Sequence, residues 1–163
     1  MKRLIVSTLA ASALAASVLA AMAPAAQAAS VNTGTFTVDV TLTPACSIVQ
    51  EPGNIAVTYT SFQVGASTGT TTFKVQCTNT KPYTMALDTN SGTVLGLPYT
   101  LALRDSGDAG DVAGGTGNGL VAGQSYLVKA TVGGLSEGGN CNNAAVDGTC
   151  AGSSGTHLVT ITY

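Results

Sequence analysis

Tryptophan is absent from this 163-residue chain, histidine occurs once, and only 9% of the residues are charged. Each shortage removes a class of function. Without tryptophan, a sugar-stacking platform lacks its best side chain, and the remaining aromatics (Phe36, Tyr59, Phe62, Phe73, Tyr83, Tyr99, Tyr126, Tyr163) are spread along the chain as core fillers would be. With one histidine, His157, a multi-histidine metal centre is excluded. The cations beyond the first residues, Lys74, Lys81, Arg104 and Lys129, are isolated, and the net charge is −2. No basic patch is available to neutralise phosphates, so nucleic acid is not an expected partner. A helical period is lacking too, which excludes an all-α fold.

The opening residues address the compartment. Lys2 and Arg3 precede an apolar run from Leu4 to about Ala23; Pro24 breaks it, and Ala26-Gln27-Ala28 has the small-x-small form that signal peptidase cleaves. Residues 1–28 are therefore expected to be a signal peptide, with a retained membrane anchor as the alternative. The expected mature chain, from Ala29, is exported and carries no membrane segment. All four cysteines fall in it. An even count in an exported chain points to disulfides. Of the three possible pairings, Cys46–Cys77 with Cys141–Cys150 is expected, because it joins two early strand ends and clips one late loop. By loop entropy the first link contributes roughly 3–4 kcal/mol.

Short runs with strand character alternate with turn signals, the pattern of an all-β sandwich of Greek-key type. They are 33–43, 46–50, 55–60, 71–77, 83–88, 97–104, 125–132 and 156–163. In the first, Phe36, Val38, Val40 and Leu42 alternate with Thr35, Thr37, Asp39, Thr41 and Thr43, giving one apolar face. Two glycine-rich stretches, 105–119 and 133–155, read as surface loops. No internal repeat is present.

Candidate chemistry is sparse. Asp105, Asp108 and Asp111 are spaced by three, which fails the alternate-ligand pattern of a calcium loop, so a solvated turn is expected. His157 opens the last run. A triad would need an acid to orient it and an activated serine or cysteine. The chain has no GxSxG elbow and its cysteines are better explained as disulfides, so a strand-edge or surface histidine is expected. No catalytic residue, metal or cofactor is expected.

The segments GTFTVDVTLTPACSI, TTFKVQCTN, YTMALD, LPYTLALRD and HLVTITY resemble the spore coat protein U domain, a family that includes pilin subunits of archaic, Csu-type chaperone–usher pili. The resemblance runs over roughly 33–163 and departs from the usual pattern between 105 and 155. It implies an immunoglobulin-like sandwich lacking its last strand: residues 29–43 as a donor-strand extension and 44–163 as the domain. It further implies Phe36, Val38, Val40 and Leu42 as the donated side chains, and Val159, Ile161 and Tyr163 on the strand bordering the open groove. The implied partners are a periplasmic chaperone, an outer-membrane usher and neighbouring subunits, and the implied location is the cell-surface pilus after passage through the periplasm. The alternative left open is a self-contained secreted adhesin or coat protein whose first strand is 34–43.

Overall fold

The computed structural model of the chain describes residues 33–134, 138–142 and 148–163. The expected signal peptide and residues 29–32 of the expected extension lie outside them. Residues 41–163 form one unit, and the residues up to Val40 another.

The larger unit is all-β. Its strands are β1 (Cys46–Gln50), β2 (Ser67–Cys77), β3 (Pro82–Leu87), β4 (Ser91–Val94), β5 (Leu97–Asp105), β6 (Gly114–Thr116), β7 (Gln124–Val132) and β8 (Val159–Thr162). They form two antiparallel sheets, ordered β1-β2-β7-β5-β4 and β6-β3-β8. The pairings β2–β7 and β3–β8 join strands far apart in sequence, so the chain crosses repeatedly between the sheets, as in a sandwich.

Alternation decides which face is buried. In β2, Phe73, Val75 and Cys77 point inward; in β7, Tyr126, Val128, Ala130 and Val132 do; Leu101 and Leu103 of β5 join them. Tyr83 and Met85 of β3 close the core from the other sheet. The longest ladder runs from Ser67↔Val132 to Val75↔Gln124 and fixes the register of the larger sheet.

Several expectations are corrected. Residues 33–45 form no strand, and neither do 55–60. Alternation supplies an apolar face, but a strand exists only where a neighbour completes its hydrogen-bond ladder. In 55–60 the alternation still shows as burial: Ile55 and Val57 pack on the core. This segment lies across the start of β2. The Gly53 N–H donates to Thr71 Oγ1 at 2.8 Å, and a Cβ on Gly69 would sit 2.3 Å from the Ala56 carbonyl oxygen. Only glycine permits that approach.

β2 therefore begins at Ser67, four residues before the expected start, with β-branched Thr68, Thr70 and Thr72 facing out. Strands β4 and β6 were not expected. β4 is made by a two-residue turn, Leu95 (φ 52°) and Gly96 (φ 74°), whose paired positive φ values match the twist of a hairpin. β6 lies within the first glycine-rich stretch, where Gly114 and Gly115 pair with Thr84 and Tyr83.

Candidate functional site

β8 is the edge of the smaller sheet. It runs antiparallel to β3, from Val159 opposite Leu87 to Thr162 opposite Thr84. The Asp88 N–H donates to the Leu158 carbonyl at 3.0 Å, which puts the even-numbered backbone groups toward β3. By the alternation of an antiparallel ladder, the N–H and C=O groups of Val159, Ile161 and Tyr163 point the other way. Among the described residues no strand is hydrogen-bonded to β8 other than β3, although β1 comes near it. The Val159 and Ile161 side chains pack against the core but remain half-buried, while Tyr163 and Leu158 are exposed. The C-terminal strand thus offers a row of backbone donors and acceptors beside incompletely covered apolar side chains.

Phe36, Val38, Val40 and Leu42 are 72–87% exposed. Four large apolar side chains at alternate positions of one segment, none of them buried, form a larger exposed apolar set than singly scattered surface residues make.

The cysteines pair as Cys46–Cys77 and Cys141–Cys150. The first joins β1 to the end of β2, where Ala45 is held as well: its N–H donates to Thr78 Oγ1 (2.9 Å), and its carbonyl accepts from the Thr78 N–H (2.9 Å). The second clips the loop before β8. That loop rests on the β4–β5 turn, where the Asn140 N–H donates to the Leu95 carbonyl and Gly152 lies against Val94 and Leu95.

His157 precedes β8 rather than opening it, and an acid does stand beside it. Its Nε2 is 2.7 Å from the Tyr99 hydroxyl, and its Nδ1 is 3.4 Å from Asp88 Oδ1. The cluster ties the entry of β8 to the opposite sheet through Tyr99 of β5. No serine or cysteine nucleophile belongs to it, and Tyr99 already serves as the second partner of the ring. The sequence missed Asp88 because the two residues meet only through the β3–β8 ladder.

The three loop aspartates are structural and not simply solvated. The Asp105 carboxylate accepts from the N–H groups of Ala109 (2.9 Å), Gly107 (3.0 Å) and Gly110 (3.0 Å), which hold it below the usual carboxylate range. Asp108 bridges Lys129 (2.6 Å) and Arg104 (2.8 Å), and these cations lower its carboxyl in that order. Asp111 takes the other arm of Arg104 at 2.6 Å. Each of these three acids is committed to a backbone or cationic partner, and among the described residues no cluster of three or more His, Cys, Asp or Glu is placed to hold a metal.

In the core, burial first and then the hydrogen bond with Tyr126 push the Tyr83 phenol above its ordinary value. The rings meet edge to face at 6.5 Å. Their hydroxyls satisfy each other inside the sandwich.

Residues 32–110 match the family model of the Spore Coat Protein U domain. That stretch, a little under half of the chain, carries the similarity to the family. The match ends before β6, β7 and β8, which complete the two sheets. A match to this family is consistent with a pilus- or coat-type surface protein. No curated protein and no solved structure matches the chain. Among the described residues, no helix is long and apolar enough to cross a membrane.

Proposed function

We propose that this protein is the structural subunit of a surface pilus, in which residues 29–43 of one copy complete the sandwich of the next. The observation that carries the proposal is the outer edge of β8, where Val159, Ile161 and Tyr163 present a backbone row to which no strand is hydrogen-bonded among the described residues, although β1 comes near. The segment that would fill it has a matching character: Phe36, Val38, Val40 and Leu42 alternate, are exposed, and form no strand where they stand. From Phe36 to Leu42 an extended strand reaches roughly 20 Å. Backbone hydrogen bonds supply affinity in such strand addition, and pockets for alternate side chains set the register. Burying the four side chains contributes ~1.5–3 kcal/mol each before ordering is subtracted.

An open strand edge beside apolar side chains promotes aggregation in transit. The protein accordingly depends on a periplasmic chaperone that covers the edge and on an outer-membrane usher that exchanges the chaperone for the next subunit. The assembled fibre serves attachment or biofilm formation at the cell surface.

The test is a gel of unboiled periplasmic protein, intact and with residues 30–43 deleted, each with its chaperone. Ladders from the intact chain and none from a folded deletion are expected. Monomers from the intact chain, with a deletion that cannot fold, would show that 34–43 belongs to its own domain.

A further inference from the structure

Two pairs of exposed apolar side chains lie at opposite ends of the larger unit. Phe62 and Val64, 74% and 78% exposed, occupy the loop before β2. This end also carries Ser67, Val132 and the close of β7, since Gly134 lies against the Val64 carbonyl and Ser61 Oγ donates to the Gly138 carbonyl at 2.7 Å. Leu120 and Val121, 57% and 82% exposed, occupy the turn between β6 and β7. That turn lies by the other end of β2, where the Gly119 N–H donates to the Cys77 carbonyl at 3.2 Å. Ser67 and Cys77 stand about 33 Å apart along the strand.

Neither pair is displayed by a loose loop. Phe62 has φ 62°, a left-handed conformation that a bulky residue adopts only when its surroundings impose it. Gln63 imposes it: its side-chain oxygen accepts from the Thr60 N–H (2.9 Å), its amide nitrogen donates to Ser67 Oγ (2.8 Å), and its own N–H donates to the Thr60 carbonyl (3.1 Å). The polar residue is turned in and the two apolar ones out. The Leu120 turn is likewise fastened, with Asn118 Oδ1 accepting from the Leu120 N–H (3.0 Å) and the Leu120 carbonyl from the Gly123 N–H (3.1 Å).

We infer that successive copies of this chain also meet end to end, with Phe62 and Val64 of one against Leu120 and Val121 of the next. The inference rests on the strand exchange proposed above and follows from its geometry. β8 runs from the Phe62 end toward the Leu120 end, because Val159 pairs with Leu87 and Thr162 with Thr84, next to the start of β3. A strand added antiparallel to β8, like every other ladder here, runs the opposite way and leaves at the Phe62 end.

Only Thr43 and Pro44 separate Leu42 from Ala45, which is anchored to Thr78 at the Leu120 end of its own domain. Three Cα steps span at most about 11 Å. The Leu120 end of the donating copy is therefore drawn against the Phe62 end of the accepting copy. Unlike surfaces that meet in this way form an open chain, not a closed dimer.

The decisive experiment puts Phe62→Cys and Val121→Cys in the same chain and runs the assembled protein on gels, boiled without reductant. Boiling dissociates exchanged strands and leaves disulfides intact. Covalent ladders from the double variant, absent from either single variant, are expected. The absence of covalent ladders where unboiled samples still show polymers would overturn the end contact and leave strand exchange standing.

A second pair guards against mispairing with the native cysteines. Phe62→Lys or Val121→Glu alone should lower the temperature at which unboiled ladders collapse, and the two together should restore it. Unchanged collapse temperatures in the singles would also overturn the contact. If the unsubstituted chain gives no ladders under any condition, strand exchange fails and the end contact fails with it.

Discussion

The two sheets of this sandwich are built to different degrees of completion. In the five-stranded sheet the central ladders are long, and Phe73, Val75, Tyr126, Val128, Leu101 and Leu103 are all buried. In the three-stranded sheet β6 has three residues and β8 four, and the apolar side chains of β8 stay half-buried. The same alternating pattern produces both outcomes. What differs is the number of neighbours: β2 and β7 have a strand on each side, and β8 has one. A side chain on an edge strand is covered from one flank only, and the proposed strand exchange would cover the other.

That contrast yields predictions that separate the sheets. Phe73→Ala in the complete sheet should destabilise the isolated subunit by about 3–5 kcal/mol, the range for removing a buried aromatic ring. Chemical denaturation would measure it, and a loss below about 1 kcal/mol would contradict this packing. Next in size are the disulfides. Cys46→Ser should lower stability by ~3.5 kcal/mol and Cys141→Ser by ~2.5, in keeping with loop closures over 31 and 9 residues. Thermal melts with and without reductant would check the order.

Ile161→Ala, in the incomplete sheet, should cost the isolated subunit only about 1–2 kcal/mol, since half its cavity term is already absent. Its larger effect should fall on polymer formation, read as weaker unboiled ladders. An equal loss for Phe73→Ala and Ile161→Ala in the subunit would erase the distinction between the sheets.

The smallest effect concerns acid. Backbone N–H groups, that of Ala109 foremost, lower the Asp105 carboxyl in the folded chain, so the unfolded chain binds the proton more readily. The stabilisation is present above about pH 4 and is lost as pH falls through the lowered folded value. Asp105→Asn should flatten this acid limb of the melting curve while leaving the neutral melting temperature little changed.

How much was legible in the sequence follows the same division. The inward positions of β2, β3, β5 and β7 are readable because each strand is covered on one face and alternates cleanly. The disulfide between β1 and β2 is readable because Cys46 opens one strand-like run and Cys77 closes another. Residues 55–60 carry the same alternation and make no ladder, since periodicity reports a buried face and is blind to whether a partner backbone lies alongside. β4 and β6 are missed because a Leu-Gly turn and a glycine-rich strand lack the usual hairpin and β-branched signals. The Tyr99–His157–Asp88 cluster joins three segments that only the folded sheets bring together. The exposed Phe62 is equally silent in the sequence, where it reads as one more core aromatic.

The most direct measurement of the central claim is amide hydrogen exchange at Val159, Ile161 and Tyr163 in the subunit lacking residues 30–43, with and without a peptide of residues 33–43. Strand addition predicts that the peptide slows all three amides, while a peptide carrying Val38→Asp and Val40→Asp leaves them fast. Exchange at β8 that is already slow without peptide, or that the unsubstituted peptide leaves unchanged, would contradict it.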